Sequence, residues 1–169
     1  MNNIRDIEIS DIPRVAEIGV FAWRCAYRGI VSEDFLFNEM IVHKRIEHLT
    51  NHFNDSKSKY YVYDDGIIKG FLRMGPCEDD DELGSFEVWA LYVDPFMQRQ
   101  GIGMAMISFC EETARKLGYN RICLWTLEKN AAARAFYEKM GYMLDGVRKY
   151  LKDIEVHQVR YIKQIEGCD

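Results

Sequence analysis

Apolar positions recur along this chain with two periods, one near two residues and one near four, and the switches between them predict its elements. Ile4 to Ile9 alternates apolar and polar residues enough for a first strand. Ser10 or Asp11 can cap the helix that follows, whose one side carries Ile12, Val15, Ile18, Ala22 and Cys25. Pro13 sits in its first turn, where a missing N–H costs little, and Gly29 breaks it. A second helical region is predicted from about Ser32 to Phe53. Tyr60–Tyr63, the turn Asp64-Asp65-Gly66 and Ile67–Leu72 then make a hairpin.

The acidic run Glu78–Glu82 predicts a solvated loop, and Phe86–Val93 a central strand that runs out at Asp94-Pro95. A short polar connection leads to a helix opening on Gly101 and Gly103. Its apolar face is Ile102, Ala105, Met106, Phe109, Cys110, Thr113 and Leu117, and Gly118 stops it. Ile122–Leu127 reads as a buried strand. Asn130 caps a short helix ending at Gly141, with Ala133, Phe136, Tyr137 and Met140 as its apolar stripe. Two strands around Tyr142–Lys149 and Ile154–Ile165 close the chain. The order β-α-α-β-β-β-α-β-α-β-β predicts a mixed α/β sheet.

Composition narrows the class. A chain of 169 residues, 48% apolar and 29% charged, predicts one globular domain over 1–169 with a real core. The formal charge of −5 argues against a nucleic-acid binder and fits a cationic partner better. Met1-Asn2-Asn3-Ile4-Arg5-Asp6 makes no signal peptide, and no stretch is apolar for long enough to span a membrane. The five cysteines are scattered without Cys-x-x-Cys spacing (Cys25, Cys77, Cys110, Cys123, Cys168). Cys25, Cys110 and Cys123 fall on apolar faces as buried free thiols, and the set predicts a reducing cytoplasm. His48 and His52 share a helix face, but no third ligand accompanies them, so a solvated face is expected and no metal.

The glycine-rich helix start carries the chemistry. Its unpaired N–H groups and the helix dipole suit a phosphate. Met104 and Ala105 replace the Lys-Ser/Thr of a P-loop, and Met106 replaces the third glycine of a dinucleotide site. What remains is Gln98-x-x-Gly101-x-Gly103 after a strand ending Leu91-Tyr92-Val93-Asp94-Pro95. It resembles the acyl-CoA signature of the GCN5-related N-acetyltransferases, the GNAT superfamily. Asn130-x-x-Ala133-x-x-Phe136-Tyr137-x-x-x-Gly141-Tyr142 resembles the second signature of that family, and the element order matches it.

The resemblance implies a twisted mixed sheet of about seven strands flanked by about four helices. It implies acetyl-CoA as co-substrate, held where a bulge splays the central strand from the strand at Ile122. Pantetheine would bond the backbone of Leu91, Tyr92 and Val93. The pyrophosphate would lie on N–H groups from roughly Arg99 to Ala105, including Gln100, Gly101, Ile102, Gly103 and Met104, beside Gln98 and Asn130. Tyr137 matches the tyrosine that serves as general acid at the CoA sulfur; packing in the apolar stripe is its other reading. Glu87 stands near the place of a glutamate that works as base through a water, and an exposed strand carboxylate is the alternative. Strand alternation puts Glu87 with Trp89, Leu91 and Val93 on one face. A backbone N–H near Leu91 would stabilise the oxyanion. Trp23, Tyr27 and Arg28 belong to the region forming one wall of the acceptor site, Trp23 as packing and the other two as substrate contacts.

The implied reaction is acetyl transfer to a primary amine, on a small molecule or a protein, by direct attack in a ternary complex. An acyl-CoA sensor without turnover, or an enzyme acting on a macromolecule such as aminoacyl-tRNA, stays open; the acidic charge disfavours tRNA. The resemblance also allows a homodimer.

Overall fold

The computed structural model describes residues 3–54 and 57–165, so Cys168 and Met1-Asn2 lie outside the described residues. The strands are β1 (Ile4–Asp6), β2 (Lys59–Asp64), β3 (Ile68–Pro76), β4 (Phe86–Val93), β5 (Arg121–Leu127), β6 (Met143–Leu151) and β7 (Val156–Gln164). The helices are α1 (Ile12–Tyr27), α2 (Val42–Asn51), α3 (Ile102–Lys116) and α4 (Ala131–Lys139). All seven strands join one sheet in the order β1-β2-β3-β4-β5-β7-β6. Only β4 and β5 pair in parallel; the other neighbours are antiparallel.

Both faces of the sheet are covered. Ile12, Val15 and Ile18 of α1 and Leu49 of α2 pack on Val62 and Phe71. Met106, Ile107 and Cys110 of α3 pack on Leu72, Val88, Ile122 and Leu124 from the other side, with Tyr137 of α4 in the same cluster. Full burial of each large aliphatic side chain here is worth about 1.5–3 kcal/mol, which is what holds the two layers on the sheet.

Several expectations need correction. The first strand stops at Asp6, and Ile9 is exposed in a short turn, because Asp11 folds back: its carboxylate accepts from the Glu8 N–H (2.8 Å) and the Arg5 guanidinium (2.7 Å) instead of capping α1. Cys25 is exposed. In the last turn of α1 the inward position is Tyr27, and two residues are about 200° around a helix, so Cys25 turns outward. The second helical region is broken. Phe35–Glu39 winds wider than an α-helix, with Met40 N–H reaching Phe35 O at 2.8 Å, and α2 starts afresh at Val42. Arg24 takes up the carbonyls of Leu36 (3.1 Å) and Met40 (3.2 Å), both of which a continuous helix would have used. Leu117 is 62% exposed because α3 ends one residue before it.

The decisive irregularity is in β4. Met74 pairs with Val88 and Arg73 with Ala90, so Trp89 is an extra residue, a bulge. A bulge reverses which residues share a face. Phe86 and Val88 before it, and Leu91 and Val93 after it, all lie toward α3, whereas Ala90 and Tyr92 lie toward α1. Glu87 is therefore opposite Leu91 and Val93, not beside them as uninterrupted alternation predicts.

Candidate active site

Past the bulge, β4 and β5 part. Their register runs Phe86–Ile122, Glu87–Cys123, Val88–Leu124 and ends there. Leu91, Tyr92 and Val93 pair on one edge with Leu72, Phe71 and Gly70 of β3 and have no β5 partner on the other. Gly70 permits that approach, since a Cβ there would stand 2.8 Å from the Tyr92 carbonyl oxygen. The exit from β4 is fixed by Asp94, whose buried carboxylate accepts from Phe96 N–H (2.9 Å) and from Arg14 of α1.

The connection to α3 then takes two left-handed steps, Arg99 (φ 63°) and Gly101 (φ 80°). A side chain at such φ is strained, and Arg99 accepts that strain in an exposed loop. Gly101 opens α3, leaving the N–H groups of Ile102, Gly103 and Met104 without intrahelical acceptors. Ala105 N–H already bonds Gly101 O at 2.9 Å, so the cradle ends at Met104 rather than Ala105. Gln98 and Gln100 are exposed beside it. Such a terminus can hold a pyrophosphate.

Across the opening stands α4. Asn130 caps it, its side-chain oxygen accepting from Ala133 N–H at 3.2 Å. Phe136 lies 3.4 Å from where a Gly103 Cβ would be, so the middle of α4 is in contact with the start of α3. Tyr137 is buried among Phe136, Tyr142 and Tyr161. Burial pushes its hydroxyl well above the ordinary tyrosine value, helped by Tyr92 and Cys110. Trp23 donates from Nε1 to the Tyr92 hydroxyl at 2.9 Å and meets Tyr27 edge-on at 4.8 Å. Burial raises the Tyr27 hydroxyl, with Tyr92 and Tyr137 adding to the rise and Asn130 opposing it. Trp23, Tyr27, Tyr92, Asn130 and Tyr137 thus meet in one place. The Tyr92 side chain is the new member, since the sequence pointed only to its backbone. Arg28 is not in this group; it is exposed, 3.8 Å from Glu33.

Glu87 lines a second feature, a cavity of about 250 Å³ walled also by Glu78, Asp79, Trp89, Trp125, Lys149 and Gln158. Burial raises the Glu87 carboxyl, the Cys77 thiol opposes the rise, and Asp79 adds to it. The Trp89 indole N–H is buried with no partner among the described residues. Lys149 holds its ammonium 4.4 Å from the Trp125 ring centre and pairs with Asp79.

The acidic loop beside this cavity is not simply solvated. Arg160, 2% exposed, donates to Asp81 (2.8 and 2.6 Å) and to Asp79 (3.2 Å). Asp79 also accepts from Trp125 Nε1 at 2.9 Å, and buried Glu82 accepts from Arg121 and the Ser85 hydroxyl at 2.6 Å each. The buried Arg160 of β7 and the partly exposed Arg121 of β5 need carboxylates, and the run supplies them; Glu78 and Asp80 stay exposed. His48 and His52 are exposed as expected.

A split sheet, a helix-start anion cradle and a buried tyrosine opposite define an acyl-CoA-type cleft. Residues 13–142 match the Acetyltransferase (GNAT) family, and the chain belongs to it: it is an acyltransferase of the N-acetyltransferase class. Among its relatives, the uncharacterized N-acetyltransferase YuaI of Bacillus subtilis is 27% identical over 139 residues, 82% of this chain and 78% of its own. A spermidine N(1)-acetyltransferase of Thermoplasma acidophilum is 24% identical, over 84% of this chain and 88% of its own. The PaiA N-acetyltransferase of Thermoplasma acidophilum, solved in complex with coenzyme A, shares the fold with a TM-score of 0.71 at 19% identity, covering 93% of this chain and 96% of that one. No helix among the described residues is long and apolar enough to cross a membrane.

Proposed function

We propose that this chain, acting as one acetyltransferase domain, moves an acetyl group from acetyl-CoA to a primary amine by direct attack in a ternary complex. The observation that carries the reading is the parting of β4 from β5 after Val88–Leu124, with the Gly101 cradle at its exit and Tyr137 buried opposite. Pantetheine fits as an added strand on the free edge of Leu91, Tyr92 and Val93, and the pyrophosphate on the N–H groups of Ile102, Gly103 and Met104. Gln98, Arg99, Gln100 and Asn130 complete the donor site.

The attacking amine must be neutral, whereas an alkyl ammonium has a pKa of about 10.4. Glu87, half-buried in the cavity wall, takes that proton, directly or through a water. The nitrogen then attacks the thioester carbon, and a backbone N–H beside the bulge meets the oxyanion. As the C–S bond breaks, the nitrogen's second proton passes to the departing thiolate, leaving amide and CoA thiol. Tyr137, held protonated by burial, meets the departing sulfur as a hydrogen-bond donor. Trp23 and Tyr27 position Tyr92 and shape the wall; Arg28 stands outside it.

The acceptor side is lined by Glu78, Asp79 and Glu87 with two indoles, and one alkyl ammonium, Lys149, already rests on Trp125. Carboxylates and aromatic faces favour a cationic amine, in keeping with the chain's net charge of −5. The test is kinetic, with two variants. Tyr137→Phe should lower kcat by about 10²–10⁴-fold with the KM for acetyl-CoA little changed, and unchanged turnover would remove Tyr137 from the chemistry. Glu87→Gln should be slow at neutral pH and recover as the pH approaches that of the free amine; a deficit equal at every pH would remove Glu87.

A further inference from the structure

Cys77 and Cys123 have no part in the acetyl transfer proposed above, yet both converge on Glu87, which does have one. Cys77 lies just past β3, Glu87 on β4 and Cys123 on β5, and the register sets Glu87 directly against Cys123. Cys77 is held there by its N–H bond to Ser85 O at 3.0 Å. Adjacent strands stand about 4.8 Å apart, so three side chains on one face of neighbouring strands converge. The two sulfurs and a carboxylate oxygen all lie within 4.8 Å of one another. Both thiols are buried and free, and Glu87 opens onto the cavity.

We propose that Cys77, Glu87 and Cys123 are a binding site for Zn²⁺, the cavity supplying water as the fourth ligand. Sulfur ligands at about 2.3 Å and a carboxylate at about 2.0–2.2 Å from a tetrahedral zinc stand about 3.6–3.8 Å apart. The trio therefore needs to close by about one ångström, within reach of side-chain rotation. Two thiolates select a soft ion against Mg²⁺ or Ca²⁺, and the hard carboxylate favours zinc over copper(I). Both thiols surrender their protons on binding. Two thiolates and a carboxylate around a dication leave one negative charge, which attracts the nearby Lys149 although that cation is shared with Asp79. Because the same Glu87 is the proton acceptor proposed above, bound zinc withdraws it and stops acetyl transfer; this consequence, unlike the site itself, rests on that proposal.

Cobalt(II), a coloured stand-in for zinc, separates the two claims. Titrated into the reduced full-length chain, it should give a sulfur-to-metal charge-transfer band that saturates at one equivalent and is bleached by zinc. Cys77→Ser and Cys123→Ser should each bind at least about tenfold more weakly and lose most of the band, while Cys25→Ser keeps it. No band at one equivalent, or a wild-type band in Cys123→Ser, overturns the site. Should either serine variant fail to fold, Glu87→Gln serves instead: the band should persist with affinity down at least about tenfold, and undiminished affinity overturns the site. Activity is read separately. Zinc that binds without inhibiting leaves the site standing and removes Glu87 from catalysis. Full acetylation in excess zinc, with no metal bound to the chain, sinks the site and leaves the proposed function intact.

Discussion

Gly101 and Gly103 look equivalent in the sequence and are not equivalent in the structure. Gly101 has φ 80° and opens α3, so any Cβ there is strained, whereas a Cβ at Gly103 would make ordinary contact with Phe136 at 3.4 Å. Gly101→Ala should cost about 1–2 kcal/mol, lower Tm by several degrees and raise the KM for acetyl-CoA. Gly103→Ala should leave Tm unchanged or slightly higher, because alanine restricts the unfolded chain. Thermal melts and donor titrations of the pair check this, and equal losses would refute the distinction. Residues whose role is local were legible in this way: Asn130 as a cap, Gly141 (φ 84°) as a helix stop, Gly118 (φ 85°) likewise. Tyr92 was not, because its side-chain partner Trp23 lies 69 residues away and no spacing rule reaches that far.

At the scale of elements, β4 and the acidic loop carry the site. The boundaries of β4 could be read from its apolar run, but the bulge at Trp89 could not, since nothing in Glu87-Val88-Trp89-Ala90 marks it. That one residue moves Glu87 to the face of β4 opposite Leu91 and Val93. The pairing of the acidic loop is hidden from the sequence for a related reason. Its carboxylates face Arg160, Arg121 and Lys149, which arrive from strands 39 to 81 residues further on.

Arg160 is the pin. Arg160→Met should leave the Asp79 and Asp145 carboxylates without their guanidinium and destabilise the chain by about 3–5 kcal/mol. It should also raise the acceptor KM more than the acetyl-CoA KM, because Asp79 lines the cavity proposed for the acceptor; equal changes in both would contradict that proposal. The same pairing sets a pH limit. Asp81 is held down to about 2, chiefly by its bond to Arg160, and Asp79 is also lowered from 3.8, against the cost of burial and by Lys149 and Trp125 more than by Arg160. Carboxyls lowered on folding stabilise above their unfolded value, so the contribution is complete above 3.8 and fades as the pH falls toward about 2. Wild-type Tm should drop across that window, and Arg160→Met should show a shallower drop.

For the molecule as a whole, element order was the most legible property. Helix and strand periods are written locally, and two short signatures tie a helix start to a split sheet. The donor half of the cleft follows from them. The proposed acceptor half does not, because the cavity assigned to it is lined by Lys149 of β6, Gln158 of β7, Trp125 of β5 and the acidic loop, which share no motif. The metal-ligand trio was hidden likewise, since strand register, not spacing, brings Cys77 and Cys123 to Glu87. Catalytic turnover, rather than mere occupation of this cleft, separates an acetyltransferase from an acyl-CoA sensor. Free CoA thiol, followed with acetyl-CoA and a panel of primary amines that includes polycationic ones, tests it most directly. The expected result is thiol release that depends on an amine and matches the acetylated amine one for one by mass. Acetyl-CoA that binds, with no thiol released above background by any amine, would contradict it and leave a sensor.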